Sequence, residues 1–161
     1  IARPLRYRVE AAVYSDRLAG DGGEPDVIGL QVGTVGQRAS EVARAWFAEN
    51  RYQDYLFLHG LGVELAEALA EYLHKQVRAE LGVAGQDARD LARLFQQGYQ
   101  GSRYSFGYPA CPELADQKPL MRLLRPERIE VALTEEYQLD PEQSTSAVIA
   151  YHPEARYFNV R

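Results

Sequence analysis

The sequence is short of the residues that reactive chemistry uses most often. It has one cysteine, one methionine, one tryptophan and three histidines in 161 residues. A lone cysteine cannot close an internal disulfide, so a reducing cytoplasm is the expected setting. Three histidines and one cysteine supply a zinc site poorly. Positive charge is also scarce: 18 Lys and Arg stand against 23 Asp and Glu, for a net charge of −5. A nucleic-acid partner asks for a basic face and is therefore not expected. No apolar run approaches the ~20 residues that span a bilayer, and no leader pattern is present, so no membrane association is expected. The chain shows no internal repeat, no low-complexity segment and no G-x-G-x-x-G after a strand. It opens on Ile1 rather than methionine and reads as a piece of something longer. With 46% hydrophobic residues, it has the material for one ordinary core.

What the sequence does have is concentrated in Gly98–Pro112. Three glycines, two prolines, three tyrosines, a phenylalanine, one arginine and the only cysteine fall within these fifteen residues. Glycine and proline interrupt both the helical and the strand period. The aromatics are too many for a solvated linker, so a loop packed against a ligand is expected here.

Around this stretch the patterns fix a coarse order. Leu5–Tyr14 alternates imperfectly and fits a half-exposed strand or a helix entry. Ala19–Pro25 is a glycine-rich turn or loop, and Asp26–Val35 alternates as a strand. Helical spacing runs from about Gly36 to Glu49 and again over Tyr52–Leu58. His59-Gly60-Leu61-Gly62 breaks the pattern, and Val63–Leu81 is the strongest helix, closed by Gly82. Asp87–Gln97 is expected as a shorter helix. A helical turn follows over about Ala115–Leu124, then strands over Ile129–Leu133 and Ser144–Tyr151, with a turn at Leu139–Glu142 between them. His152–Ala155 turns again, and Tyr157–Val160 opens a last strand. A strand, then grouped helices, then three strands, with no regular βαβ repeat, predict an α+β domain with a mainly antiparallel sheet.

Few side chains stand out as chemistry. Cys111 needs a base and an electropositive setting to act as a nucleophile. His59, His74 and His152 sit in no recognisable catalytic context, so a small packed cysteine is the better reading and a cysteine hydrolase the weakest of the functions. Arg103, among glycines and aromatics, suits a bidentate pair with a carboxylate or phosphate, or equally a salt bridge to a glutamate. Glu67 faces the same choice on a helix surface. Tyr157 and Phe158 read as core or as a ring pair at a site.

Arg103-x3-Gly107-Tyr108-Pro109-Ala110-Cys111-Pro112 resembles the signature of the S-adenosylmethionine-binding activation domain of cobalamin-dependent methionine synthases. Ala66–His74 resembles that family's long helix, and Tyr99-Gln100-Gly101 its approach to the arginine. Tyr151-His152-Pro153 with Tyr157-Phe158 resembles its Ser-His-Pro turn and aromatic pair. The likeness runs from about Asp26 to Val160. It implies an α+β fold with a mainly antiparallel sheet, a long central helix and flanking helices, as one activation domain over 1–161.

The resemblance also implies roles. Arg103 matches the arginine that takes the ligand's carboxylate. Ser105, Gly107 and Tyr108 match the loop around the nucleoside. Tyr157 and Phe158 match the aromatic pair that closes the pocket, and Glu67 an acidic residue nearby. No residue is assigned as catalytic or metal-ligating. The family further implies cobalamin held mainly by another domain of the same enzyme, and a flavodoxin-type electron donor. It implies reductive remethylation of cob(II)alamin in an enzyme that moves a methyl group from 5-methyltetrahydrofolate to homocysteine. A monomer is expected. The family's Asp-Trp motif is missing, since Trp46 follows Ala45, which implies a lost N-terminal half or a shortened domain. A docking module that no longer binds the ligand is the alternative.

Overall fold

The computed structural model describes residues 10–14 and 26–157. Four strands form one antiparallel sheet: β1 (Glu10–Tyr14), β2 (Asp26–Thr34), β6 (Ser144–Ala150) and β3 (Ser102–Ser105), in that spatial order. Two short strands, β4 (Ala132–Leu133) and β5 (Leu139–Asp140), pair separately as a hairpin. The helices are α1 (Gln37–Ala48), α2 (Tyr52–Glu80), α3 (Leu91–Phe95) and α4 (Gln117–Leu124). The mixed helical and antiparallel architecture agrees with the α+β expectation. None of the described helices is long and apolar enough to cross a membrane.

The alternation of β2 divides the domain into two layers. Leu30 and Val32 join Leu120 and Leu124 of α4 and Val131 in one buried cluster. The intervening Gly29, Gln31 and Gly33 lie on the other face, as period 2 requires. There α2 packs with Ala66, Ala70, Leu73 and Val77 buried. A Cβ on Gly33 would sit 3.5–3.7 Å from Leu69 and Leu73, at ordinary contact distance, so this strand glycine faces the leucines of α2 directly. Gln31 Nε2 donates to the Ala70 carbonyl across this seam (3.1 Å). Fully burying Leu73 and Ile149 on this face contributes about 1.5–3 kcal/mol each.

Several elements differ from expectation. The interruption at His59–Gly62 does not occur: α2 is one helix of 29 residues. Gly62 is buried, and a Cβ there would lie 2.6 Å from Cγ of Gln143, so the glycine is a contact requirement rather than a helix end. The helix closes where expected, with Gly82 at φ 75° just beyond it. The helix foreseen over Asp87–Gln97 shrinks to α3, because the Asp87 carboxylate is taken by Arg78 and Asp90 caps Arg93 N–H (3.0 Å). Ser102–Ser105, expected as loop, is an edge strand paired with β6 from Ser102↔Ala150 to Ser105↔Ala147.

The strand expected over Ile129–Leu133 is also corrected. Pro126–Ile129 is a 3₁₀ turn, Glu130 adopts a left-handed φ of 61°, and only Ala132–Leu133 is extended. The turn at Leu139–Glu142 instead begins with β5, ahead of a cis Asp140–Pro141 bond. The undecided Leu5–Tyr14 resolves as strand over Glu10–Tyr14. The remainder of that segment, the loop Ala19–Pro25, and Phe158–Val160 of the last strand lie outside the described residues. Tyr157 itself is not in a strand.

Candidate functional site

Arg103 is the fixed point of the site, and the register of β3 aims it. Arg103 pairs with Ile149 and Ser105 with Ala147, so both face the α2 side of the sheet. There Arg103 Nη2 donates to Glu67 Oε2 (2.9 Å) and to Glu71 Oε1 (3.1 Å), one helical turn apart on α2. The Arg103 side chain is 12% exposed, the two glutamates 50% and 39%. Burial alone would lower the Arg103 pKa. The hydrogen bonds and charges of Glu67 and Glu71 outweigh it and hold the guanidinium charged above its usual range. Its Nη1 is buried without a hydrogen-bond partner. In the structure Arg103 is therefore a glutamate-paired cation with one guanidinium nitrogen left unpaired.

Behind Arg103 lies a buttress that sequence reasoning did not find. Arg78, 2% exposed, forms a two-pronged pair with Asp87 (2.9–3.1 Å). Its guanidinium stacks 4.0 Å from the centroid of the Tyr99 ring, and His74 meets that ring edge-on at 5.2 Å. Burial first, then the charges of Arg78 and Arg103, push the His74 pKa down to about 3, so its imidazole is neutral. Burial raises the Tyr99 pKa, and Glu71 adds to it. Tyr99 is thus a neutral phenol wedged at the entry to β3.

The loop after β3 is a tight reversal. Gly107 N–H donates to the Cys111 carbonyl (2.8 Å) and Cys111 N–H to the Tyr108 carbonyl (2.9 Å). Gly107 has φ 84°, and Pro109 follows Tyr108 as the first central residue of the turn. Burial and then Asp116 raise the Cys111 thiol pKa, which opposes thiolate formation and the cysteine-nucleophile reading. At the other end of the stretch, Gly101 (φ 86°) presses on β6: a Cβ there would lie 2.6 Å from the Ala150 carbonyl oxygen.

Three more side chains tie this stretch to the C-terminal segment. Gln97 Nε2 donates to the carbonyls of Gly101 and Ala155, and Gln97 Oε1 accepts from Tyr157 N–H, all at 2.9 Å. Gln100 donates to the Tyr151 carbonyl (2.9 Å) and Tyr104 Oη to the Arg156 carbonyl (3.0 Å). Tyr157 is thereby held beside the stretch that carries Arg103. The only sequence signal for this was the glutamine-rich run Gln96-Gln97-x-x-Gln100.

A cavity of about 800 Å³ lies beyond the end of β3. Glu67, Ser105, Phe106 and Tyr108 line one side, and Ser144–Ser146 of β6 another. Ser40, His59 and Gln143 line its far end, where Ser40 Oγ donates to Gln143 Oε1. The volume lies in the range of small-molecule sites. Of the expected residues, Glu67, Ser105 and Tyr108 line it. Arg103 adjoins it through Glu67, while Gly107 and Tyr157 are not in its wall. Phe158 lies outside the described residues. Among the described residues no cluster of three or more His, Cys, Asp or Glu is placed to hold a metal ion.

A largely buried arginine facing two carboxylates, beside a ring-lined cavity whose wall also holds Arg44, suits a zwitterionic ligand with an apolar body. Residues 7–161 match the family model described as "Vitamin B12 dependent methionine synthase, activation domain". The chain belongs to this family. The activation domain is 49% identical over 176 aligned residues to methionine synthase of Mycobacterium tuberculosis, covering 98% of the chain and 15% of that protein. It is 46% identical over 154 residues to methionine synthase of Mycobacterium leprae, covering 92% of the chain and 13% of that protein. The chain thus spans a small part of these relatives. Its fold matches a solved structure, the MetH reactivation domain bound to AdoHcy, with TM-score 0.79 and 33% identity over 84% of this chain and 42% of the other.

Proposed function

We propose that this activation domain binds S-adenosylmethionine and presents it for reductive remethylation of cob(II)alamin to methylcobalamin within a longer methionine synthase. The observation that carries the reading is Arg103 set against Glu67 and Glu71 at the edge of a small-molecule cavity, in a fold shared with a domain bound to AdoHcy. The residues fit the ligand. Arg103 takes its carboxylate, and Glu67 meets its ammonium group. Ser105 and Tyr108, both in the cavity wall, border the nucleoside with a short side chain and one ring, and the family resemblance adds Gly107, Tyr157 and Phe158 to the site.

S-adenosylmethionine held by Arg103 and Glu67 would supply the methyl group to the corrinoid, a flavodoxin-type donor would supply the electron, and S-adenosylhomocysteine would leave. The chain's own contribution is positioning and electrostatics, which asks for no acid or base. Cobalamin belongs mainly to another domain of the longer enzyme. That enzyme transfers a methyl group from 5-methyltetrahydrofolate to homocysteine.

The two existing hydrogen bonds on Arg103 favour one competing reading, a docking module whose arginine is already satisfied. Amide chemical shifts during titration with S-adenosylmethionine separate the two. The ligand reading expects saturable shifts at Arg103–Tyr108 and Tyr157. Their absence at millimolar ligand supports the docking module.

A further inference from the structure

The charge count at Arg103 carries an inference beyond binding itself, and it rests on the ligand proposed above. Glu67 and Glu71 reach the same nitrogen, Nη2, at 2.9 and 3.1 Å. One guanidinium and two carboxylates leave the cluster with one negative charge in excess. The ionisable groups packed against the cluster do not alter its count; elsewhere in the cavity wall stand Arg44, Asp140 and Glu142. His74 is neutral because of its burial and the two arginines, Tyr99 is a phenol, and Arg78 is matched by Asp87. Glu67 lines the cavity and Glu71 follows it one helical turn along the same face of α2; both are partly exposed, so each can turn from Arg103 to an incoming cation.

We propose that Glu71, acting with Glu67, makes the site discriminate the sulfonium ligand from its thioether product. A ligand carboxylate that takes Arg103 frees both glutamates. S-adenosylhomocysteine brings one cation, its ammonium, and leaves one carboxylate uncompensated. S-adenosylmethionine brings two, ammonium and sulfonium, and compensates both. A sulfonium donates no hydrogen bond, so its share of the recognition is Coulombic and tolerant of geometry. Loss of the methyl group removes one positive charge from the ligand and weakens its hold, which favours product release. Glu71 is thus a specificity-determining residue.

The test is calorimetric titration of this chain with S-adenosylmethionine and, separately, S-adenosylhomocysteine. The wild type binds the sulfonium more tightly. Glu71→Gln lowers the affinity ratio about fivefold, the size of one partly screened charge pair, and does so through the sulfonium ligand. Glu80→Gln, at the C-terminus of α2 and more than two turns beyond Glu71, leaves the ratio unchanged. Glu71→Asp keeps the charge and holds the ratio within about twofold, which separates charge from fold. An unchanged ratio in a folded Glu71→Gln protein, with S-adenosylmethionine still bound, overturns this inference. Binding of neither ligand by the wild type overturns the ligand reading instead.

Discussion

Replacing Asp87 by alanine strands the Arg78 charge. Arg78 is 2% exposed, and three hydrogen bonds to Asp87 at 2.9–3.1 Å hold its guanidinium in the folded chain. Its Nη1 is already buried without a partner, so the stacked Tyr99 ring at 4.0 Å is the main compensation left. Removing one partner of a buried ion pair costs about 3–5 kcal/mol. Asp87 is 12% exposed, so water reaches the gap and the lower end, about 3 kcal/mol, is expected. For a chain of this length that corresponds to a fall in Tm of about 6–12 °C. The comparison is Glu41→Ala, which breaks the Arg38–Glu41 pair at 85% and 51% exposure and is expected to cost at most about 0.5 kcal/mol. Thermal unfolding followed by circular dichroism reads both. Equal, small shifts for the two variants refute the claim that Arg78 and Asp87 form a buried buttress.

Three further outcomes follow from the same reasoning. Gly60→Ala stabilises by about 0.5–1 kcal/mol, because its Cβ meets nothing within 4 Å in mid-helix, whereas Gly62→Ala destabilises by about 1–3 kcal/mol through its clash with Gln143; denaturant midpoints show the opposite signs. His74 titrates near 3 when folded and near 6.5 when unfolded, so the unfolded chain binds the extra proton between these values and stability falls as pH drops from 6.5 towards 3. At pH 5 the loss from this residue is about 2 kcal/mol, and His74→Leu flattens the slope of unfolding free energy against pH by that amount. Gln97→Ala removes three hydrogen bonds at 2.9 Å, and hydrogen exchange at the Tyr157 amide accelerates while the α2 core amides keep their protection.

The parts of the fold that local rules could read are those where periodicity and burial coincide. β2, the body of α2 and β6 alternate or repeat in register with the face they bury, whereas α1 buries only Ser40 and Ala43 and leaves Phe47 exposed. Gly62 misled because a glycine chosen for contact with Gln143 looks the same in sequence as one that ends a helix. Ile129–Val131 misled because their alternation reports burial against α4, while the left-handed Glu130 between them forbids a strand. β3 is too short to show a period and exists because β6 offers it an edge.

At the site, Arg103 and its motif were legible because the residue types are rare together. Glu71, Arg78, Asp87 and Gln97 were not, since each is an ordinary polar residue whose role comes from a partner at least nine positions away or on another element. The choice between a ligand and a glutamate for Arg103 was posed correctly by residue type. The structure shows the glutamate pairing and leaves a cavity beside it.

The central claim is that Arg103 organises an S-adenosylmethionine site. Calorimetric titration of the wild type and of Arg103→Ala tests it most directly, with a thermal melt on each. The account predicts saturable binding by the wild type and a loss of about 2–5 kcal/mol of binding free energy in the variant. It also predicts a fold that stays intact, because Glu67 and Glu71 are exposed enough to hydrate. Unchanged affinity in a folded Arg103→Ala protein would contradict it.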